Sequence, residues 1–457
     1  MALDVVILAA GQGTRMRSEK PKVLHALAGK PMVRHVIDTA MELGTHRLHV
    51  VIGHGGNQVR ESLADCSVEF ALQSEQKGTG HAVAQAKDKL ADGKVLVLYG
   101  DVPLIRHETL ATLLDEVNEQ RMALLTVTLD DPTGYGRIKR DTEGRPVAIV
   151  EHKDASESER AITECNTGIM AMTATQLRRW LPQLSAENVQ GEYYLTDVIA
   201  MAAEEGTAIA TAQPATPVEV EGVNNRLQLA RLERAYQFAQ AEQLMTDGVA
   251  LADPARLDVR GSLRCGRDVE IDVGCIFEGE VELADGVRVG PYCVIRNSKI
   301  GAASVIEAHS VLEGAILEGK SRIGPFARLR PGTRLAEGAR IGNFVETKNA
   351  ILGEGAKINH LSYVGDARLG REVNIGAGTI TCNYDGANKH LTEIGNHAFI
   401  GSNTALVAPV KVGEGATVGA GSTISRDVEA GALALTRERQ MSKQNWPRPQ
   451  KTPTQEH

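Results

Sequence analysis

Aliphatic residues recur every six positions through most of the C-terminal half of the chain. The aliphatic positions of this pattern are Ile323, Leu329, Leu335, Ile341, Leu352, Ile358, Val364, Leu369, Ile375, Ile394, Ile400, Leu406, Val412, Val418 and Ile424. A period of six fits neither a helix, which repeats at about 3.6 residues, nor an amphipathic strand, which repeats at about 2. The pattern predicts a prism of stacked coils, with a short strand on each face and the aliphatic side chains pointing inward.

Two interruptions break this six-residue register. The first separates Ile341 from Leu352 and contains Lys348, and the second lies between Ile375 and Ile394 and contains the turn-forming run N-Y-D-G. We predict a corner loop at each interruption. Because loops on neighbouring coils can form a cleft between subunits, functional residues are expected there.

The N-terminal half alternates between buried-strand patterns and helical patterns. The strand candidates are Val5–Ala9, Leu48–Ile52, Val68–Leu72, Val95–Tyr99 and Leu124–Leu129. Helical stretches such as Ala82–Leu90 separate them. This alternation predicts an α/β layer with a mainly parallel sheet, in which ligands bind beyond the carboxyl ends of the strands.

A stretch rich in helix formers follows the α/β half. Residues 225–244 contain neither glycine nor proline, and Gly248 marks the predicted end of the helix. We interpret this segment as a rigid connection. A coiled-coil seam is disfavoured because the apolar positions do not sustain heptads.

Composition narrows the class of protein. The 457 residues are too many for one compact core, and 42% hydrophobic with 24% charged residues is ordinary for a soluble protein. The net charge of -8 argues against nucleic-acid binding. Six scattered cysteines without a C-x-x-C pair indicate free thiols in a reducing cytoplasm. The N-terminus lacks a basic segment, and no apolar run reaches membrane-spanning length. We therefore expect neither a signal peptide nor a membrane-spanning segment.

The first predicted strand runs into the glycine-rich segment L-A-A-G-Q-G-T-R-M. Met16 stands where a dinucleotide fingerprint needs its third glycine, and no G-K-[ST] is present, so both of those phosphate motifs are excluded. The glycines alone fit an ordinary turn equally well. Arg15, Pro21 and Lys22 favour the alternative, a phosphate-binding turn with compensating cations.

Asp101 follows directly on the predicted strand Val95–Tyr99. A carboxylate at the carboxyl end of a buried strand is suited to hold Mg²⁺ over phosphates. By itself, however, Asp101 is better explained as a cap for a helix after Pro103.

The order of motifs along the chain carries a family resemblance. The motifs are L-A-A-G-x-G-T-R-M, P-K at Pro21–Lys22, Gln73 with G-T-G-H, Y-G-D, G-Y-G-R, V-E-H-K-D, N-T-G and V-N-N-R. They occur in the order found in sugar-1-phosphate nucleotidyltransferases. With the hexapeptide half, residues 1–445 closely resemble the bacterial bifunctional UDP-N-acetylglucosamine pyrophosphorylase/glucosamine-1-phosphate N-acetyltransferases.

The resemblance implies a nucleotide site in the N-terminal half. Arg15 and Lys22 would face the triphosphate as catalytic cations, and Asp101 and Asn224 would bind Mg²⁺. The other residues implied for UTP and the sugar nucleotide are Leu8, Ala9, Ala10, Gly11, Gln73, Gly78, Thr79, Tyr99, Gly100, Gly136, Glu151 and Asn166.

Acetyl transfer needs a base that accepts a proton from the sugar amine. Sequence alone does not choose among His309, His360, His390 and His397, whereas the resemblance implies His360. The implied sugar-phosphate residues are Arg330, Lys348, Tyr363 and Asn374, and the implied acetyl-CoA residues are Ala377, Asn383, Tyr384, Ser402, Ala420 and Arg437. The two alanines are equally ordinary as small corner residues of a coil.

We therefore expect an α/β Rossmann-like nucleotidyltransferase domain over 1–225, a helical linker over 226–247, a left-handed parallel β-helix over 248–437 and a tail over 438–457. The resemblance implies a homotrimer that acts on glucosamine-1-phosphate, acetyl-CoA, N-acetylglucosamine-1-phosphate and UTP, and that supplies a precursor of peptidoglycan and lipopolysaccharide. Two alternatives are disfavoured. A nucleotidyltransferase whose repeats only oligomerise would not need Arg330, Lys348, His360, Tyr363 and the N-Y-D-G run together, and a scaffold with decayed sites would not keep Arg15, Lys22, Asp101 and Asn224.

Overall fold

The computed structural model describes residues 2–436 and 439–448. The chain divides into two compact units, Met1–Ala241 and Glu242–His457. The division falls within the helix Arg226–Thr246, which contains all but the last residue of the predicted linker 226–247.

The first unit is built on a mixed sheet. In spatial order its strands are Ala208–Ala212, Arg121–Thr128, Glu164–Thr173, Gly93–Tyr99, Ala2–Ala9, Arg47–Ile52 and Glu69–Leu72. Neighbouring strands are parallel, except that Glu164–Thr173 is antiparallel to both of its neighbours and also carries the hairpin Arg137–Arg140 and Pro146–Val150. The central strands are buried on both faces, which explains why they appear as continuous apolar runs in the sequence.

Helices pack on this sheet and bury its apolar faces. They are Met32–Glu42, Gly56–Ser62, Thr79–Ala84, His107–Asp115, Ala174–Trp180 and Val198–Glu204, while the single-turn helix Glu157–Arg160 has no buried residue. Short 3-10 turns occur at Thr14–Met16, Lys22–Leu24, Lys87–Lys89, Leu181–Gln183, Leu195–Asp197 and Pro217–Val220, and a two-stranded ribbon pairs Ala26–Leu27 with Lys30–Pro31.

The predicted helix Ala82–Leu90 is wrong in its bounds. The α-helix ends at Ala84, and Lys87–Lys89 forms a separate 3-10 turn. Backbone hydrogen bonds from Ala86 to Val83 and from Lys89 to Ala86 span three residues and tighten the chain there.

The second unit is the predicted prism. One face is the sheet of strands Ala250–Leu251, Glu270–Ile271, Arg288–Val289, Val305–Ile306, Arg322–Ile323, Arg340–Asn343, Lys357–His360, Asn374–Ile375, Phe399–Ile400, Thr417–Val418 and Leu433–Ala434. A second, branched sheet forms the other faces from strands Leu257–Cys265, Cys275–Leu283, Val294–Ile300, Val311–Glu313, Ile316–Leu317, Arg328–Leu329, Arg334–Leu335, Glu346–Leu352, Tyr363–Leu369, Ile380–Cys382, Thr392–Ile394, Ala405–Val407, Val410–Val412 and Thr423–Ile424. Pairing between coils is parallel, and the hexad aliphatics lie buried inside.

The corner loop predicted around Lys348 is wrong. Lys348 lies inside the strand Glu346–Leu352, which runs continuously past a corner. The coil that contains Lys348 is one residue shorter than the coil before it. Arg328 pairs with Glu346, 18 positions later in the chain, whereas Glu346 pairs with Tyr363, only 17 positions later. The missing residue therefore shifts the hexad register without pushing out a loop.

A loop is present at the second interruption. Between the strands Ile380–Cys382 and Thr392–Ile394, the Asp385 carboxylate accepts hydrogen bonds from the backbone N–H groups of Ala387 (2.8 Å) and Asn388 (2.7 Å). These bonds close the N-Y-D-G turn predicted from the sequence.

Candidate functional site

A cavity of about 370 Å³ opens at the carboxyl ends of the strands Ala2–Ala9 and Gly93–Tyr99. It brings together most of the residues predicted for the nucleotide site. Its lining includes Leu8, Ala9, Ala10, Gly11, Lys22, Gln73, Gly78, Thr79, Tyr99, Asp101 and Asn224. The cavity therefore lies where an α/β sheet binds its ligands.

The glycine-rich turn sets the position of Lys22. Gly13 has a φ of +63°, and a Cβ on it would come within 2.6 Å of the Lys22 Cβ. A side chain at position 13 would thus strain the backbone and displace the lysine. The turn also presents Arg15, whose Nη2 donates to the Asn224 Oδ1 at 2.8 Å.

Asp101 is tied to Lys22 and does not cap a helix. The Lys22 Nζ donates to the Asp101 Oδ2 and lies 3.4 Å from the Asn224 Oδ1. The next helix, His107–Asp115, begins after Arg106, so the capping alternative is wrong. The backbone N–H of Val223 donates to the Asp101 carbonyl at 2.9 Å, which holds the Asp101 and Asn224 segments side by side.

Gln73 organises the other wall of the cavity. Its buried side-chain amide donates to the Gly78 carbonyl and lies 3.1 Å from the His81 Nδ1. The Thr79 hydroxyl accepts a hydrogen bond from the backbone of Leu195 at 3.0 Å. The segment from Gly78 to His81 is thereby fixed from both sides.

The predicted sugar-pocket residues form a cluster of their own. The backbone N–H of Asn166 donates to the Gly136 carbonyl at 2.8 Å, and a Cβ on Gly136 would come within 3.4 Å of the Glu151 carboxylate. The Thr196 hydroxyl donates to Glu151 at 3.2 Å. Burial raises the pKa of Glu151, and burial, with Glu151 and Asp101 nearby, raises the pKa of Tyr99. Tyr99 therefore belongs both to the cavity wall and to the surroundings of this cluster.

Neither Gly100 nor Arg15 lines the cavity directly: the Gly100 N–H donates to the Leu8 carbonyl at 3.0 Å, and Arg15 is exposed beside Asn224. Sequence reasoning missed four lining residues, Val23, Gln76, Ala82 and Glu192. Gln76 could have been found, because it stands between Gln73 and Gly78 in one motif. Glu192 comes from a distant loop and carries no local signal.

In the repeat unit, one corner gathers His360 and three of the residues predicted for acetyl-CoA. Ile341, Ile358, Ile375, Ile400 and Val418 pair in register from coil to coil. The residues two places after them stand in one column, which we call the corner column: Asn343, His360, Ala377, Ser402 and Ala420. Adjacent coils are about 4.8 Å apart, so the column could support an extended ligand.

His360 has a defined orientation at the head of the predicted acetyl-CoA residues. It is exposed, and its Nδ1 lies 2.9 Å from the Asn343 Oδ1. With the amide oxygen as acceptor, the Nδ1 carries the hydrogen and the Nε2 presents a lone pair. Asn343 was missed, although the coil spacing alone places it beneath His360.

The predicted sugar-phosphate residues are divided between two faces. Arg330 donates to the Glu346 carboxylate at 2.9 Å, and Glu346 pairs in register with Tyr363. Lys348 pairs with Gly365 on the same face. Asn374 lies in the other sheet, next to Lys357, and is not brought beside Arg330 within one chain.

Of the two loop residues predicted for acetyl-CoA, Asn383 is held by a carboxylate. Asp366 accepts a hydrogen bond from the Asn383 amide and one from the Asn349 amide, at 2.7 Å for Asn349. Tyr384 is 55% exposed and its hydroxyl donates to the Gly386 carbonyl. Arg437 lies outside the described residues.

Two family models match the chain. Residues 5–186 match the MobA-like NTP transferase domain, and residues 391–426 match the bacterial transferase hexapeptide with six repeats. The predicted fold class, a Rossmann-like nucleotidyltransferase domain followed by a left-handed parallel β-helix, is confirmed. Within the described residues, no helix combines the length and apolarity needed to cross a membrane.

Full-length relatives extend both matches. The bifunctional protein GlmU of Chromohalobacter salexigens is 73% identical over 452 residues, which cover 99% of this chain and 100% of that protein. The bifunctional protein GlmU of Marinobacter nauticus is 60% identical over 450 residues, covering 98% and 99% respectively. A solved nucleotidyl transferase from Methanothermobacter thermautotroptrophicus is 19% identical over 51% of this chain and 97% of that chain, with a TM-score of 0.38, a likeness too distant to carry weight. The chain belongs to the family of the bifunctional GlmU proteins.

Proposed function

We propose that this chain carries out two successive transfers, each in its own unit. The repeat unit transfers the acetyl group of acetyl-CoA to glucosamine-1-phosphate. The first unit then transfers the uridylyl group of UTP to N-acetylglucosamine-1-phosphate and releases pyrophosphate. The observation that carries this proposal is that one chain holds two separate polar clusters, one around Lys22 and Asp101 and one along the corner column.

Uridylyl transfer requires positioning of anions and no protein nucleophile. A phosphate oxygen of N-acetylglucosamine-1-phosphate attacks the α-phosphorus of UTP, and the bond to the bridging oxygen of pyrophosphate breaks. Arg15 and Lys22 neutralise charge on the triphosphate. Glu151 and Asn166 orient the sugar, and the glycine-rich turn brings its backbone close to the nucleotide.

The residues present fit Mg²⁺. This ion prefers oxygen ligands and is commonly held by one or two side chains together with substrate phosphates. The Asp101 and Asn224 oxygens converge on the positively charged Lys22 Nζ, so their geometry already suits a cation. Among the residues that the structure describes, no group of three or more His, Cys, Asp or Glu side chains could hold a metal, which agrees with an ion completed by phosphates. When bound, Mg²⁺ would offset negative charge on the phosphate oxygens.

Acetyl transfer requires a base at the amine. The His360 Nε2 accepts a proton from the amine as the amine nitrogen attacks the thioester carbonyl. The C–S bond then breaks, and the imidazolium returns the proton to the departing thiolate of coenzyme A. Asn343 fixes the histidine tautomer. Ala377, Ser402 and Ala420 leave the corner free of bulky side chains, so the extended coenzyme can lie along it.

The active form proposed for the repeat unit is a homotrimer. His360 is exposed, and next to the corner column runs a strip of exposed apolar side chains, Phe326, Phe344 and Leu361. The Phe326 and Phe344 rings stack with centroids 5.4 Å apart. A second copy covering this strip would bury apolar surface and enclose the acetyl-transfer site.

The proposed compartment is the cytoplasm, and the proposed product is a cell-wall precursor. The described cysteines Cys66, Cys165, Cys265, Cys275, Cys293 and Cys382 are all unpaired, which suits a reducing environment.

One assay tests the proposal and its nearest rival, a single-activity nucleotidyltransferase. The purified full chain is incubated with glucosamine-1-phosphate, acetyl-CoA, UTP and Mg²⁺, while free thiol and pyrophosphate are measured separately. Release of both supports two transfers. Pyrophosphate released only when N-acetylglucosamine-1-phosphate is supplied would support the rival, and release of neither would contradict both.

A further inference from the structure

The Lys22 ammonium occupies the position between two oxygens that the proposed function assigns to a metal. It donates to the Asp101 Oδ2 and lies 3.4 Å from the Asn224 Oδ1. The side chains of Lys22 and Asp101 are only 16% and 15% exposed. Water therefore screens this ion pair much less than a surface pair.

We infer that Lys22 is an internal cation that the metal must displace, so that metal loading and the release of Lys22 toward the triphosphate are one exchange. This inference rests on the proposed assignment of Asp101 and Asn224 as metal ligands. It gives Lys22 a role before the nucleotide binds, as a positioning residue at the metal site.

The two cations cannot share the Asp101 oxygen. A bound Mg²⁺ lies about 2.0–2.1 Å from its oxygen ligands. An ammonium that stayed within hydrogen-bond distance of the same oxygen would be a few ångströms from a doubly charged ion in a poorly screened site, and like charges at that distance repel strongly. One of the two has to leave.

The surrounding structure confines the movement to the end of the lysine side chain. The main chain at Lys22 is held against Gly13, and the next two residues, Val23 and Leu24, are buried. The four-carbon stem can swing while the backbone stays in place. The freed ammonium remains beside the cavity that Lys22 already lines.

The exchange predicts that the native chain binds metal weakly in the absence of nucleotide. A ligand that binds only a minor state has its affinity reduced by the population of that state. Replacing Lys22 removes the state in which its ammonium group occupies the metal site. Lys22→Met should therefore bind Mn²⁺, used as an oxygen-seeking probe, about tenfold more tightly than the native chain does.

The test measures Mn²⁺ binding to the nucleotide-free full chain by electron paramagnetic resonance. Lys20→Met is the matched control, because Lys20 is exposed and carries the same charge two positions away. Asp101→Asn combined with Lys22→Met identifies the site. We expect about tenfold tighter binding for Lys22→Met, little change for Lys20→Met and loss of the tight site in the double variant.

A second readout follows the lysine itself. In the native chain, Mn²⁺ or Mg²⁺ should increase acylation of Lys22 by an amine reagent, measured by mass spectrometry, and should leave Lys20 unchanged. Two outcomes would overturn the exchange but not the metal site. One is metal binding that depends on Asp101 while acylation of Lys22 is the same with and without metal. The other is an equal gain in Mn²⁺ affinity for Lys22→Met and Lys20→Met. Metal binding that is absent, or indifferent to Asp101, would overturn the proposed metal site and the exchange with it.

Discussion

In the first unit the candidate residues Lys22, Asp101 and Asn224 line one cavity formed entirely by a single chain. In the repeat unit, His360 and Tyr384 stand exposed on the outer surface of a solenoid. The first arrangement is complete when the sheet and its loops fold. The second consists of equivalent positions on stacked coils and leaves one side open. Under the proposed function, nucleotide chemistry would depend on the fold of one unit, whereas acetyl transfer would depend on the register of the coils and, in the proposed trimer, on a second copy.

The largest expected effect is at the proposed metal ligand, where a substitution should affect one activity and spare the other. Asp101→Ala should lower uridylyl transfer by about 10³-fold or more, because a metal contributes several kcal/mol of charge stabilisation. Acetyl transfer should be unchanged. Pyrophosphate release and thiol release measured on the same preparation check both expectations, and equal loss of the two activities would indicate a folding defect instead.

His360→Ala should produce the reverse pattern. Loss of a general base lowers the rate by about 10²–10⁴-fold, so thiol release should fall by that factor while pyrophosphate release from N-acetylglucosamine-1-phosphate stays normal. His309→Ala is the matched control, since His309 stacks between Tyr292 and Phe326 and is assigned no proton transfer. Acetylation at the native rate by His360→Ala would refute the base.

A smaller effect is expected at the loop of the repeat unit. Asp385→Ala removes carboxylate bonds to two backbone N–H groups and the 2.7 Å contact with His390. Without these hydrogen bonds the loop should lose order, and the KM for acetyl-CoA should rise about tenfold. An unchanged KM would show that the loop does not hold the coenzyme.

The smallest effect concerns Glu151 and its pH dependence. Burial raises the pKa of Glu151 above its ordinary value of 4.5, so the folded state favours the protonated carboxyl. The associated stability is complete below the unfolded pKa and is lost as pH rises through the raised pKa. Glu151→Gln should therefore gain unfolding free energy relative to the native chain as pH rises above about 4.5. Chemical denaturation at several pH values checks this, with the exposed Glu204→Gln as a variant expected to show no such trend.

The sequence predicts local features of both units better than distant contacts. Hexad aliphatics such as Ile358 and Ile375 predict the β-helix because every coil buries an aliphatic side chain at the equivalent position. The strand that precedes Asp101 was also predictable, because it is a continuous apolar run that the fold buries. The strand Glu164–Thr173 was not predicted to be antiparallel, because burial on both faces gives the same apolar pattern in either direction.

Residues that reach a site through tertiary contacts were less predictable. Glu192 joins the cavity because the Tyr193 carbonyl accepts a hydrogen bond from Gly80, a pairing between segments far apart in sequence. Lys348 was assigned to a loop because a shortened coil and an inserted loop both interrupt the hexads. Only the register of the structure distinguishes them.

The central claim, that two independent sites lie in one chain, is tested most directly by mixing two defective variants. Asp101→Ala and His360→Ala are purified separately, combined without subunit exchange, and supplied with glucosamine-1-phosphate, acetyl-CoA, UTP and Mg²⁺. We predict that neither variant alone makes UDP-N-acetylglucosamine at an appreciable rate and that the mixture does, because the acetylated intermediate diffuses from one protein to the other. A mixture that stays inactive, although each variant retains its remaining activity, would contradict the account.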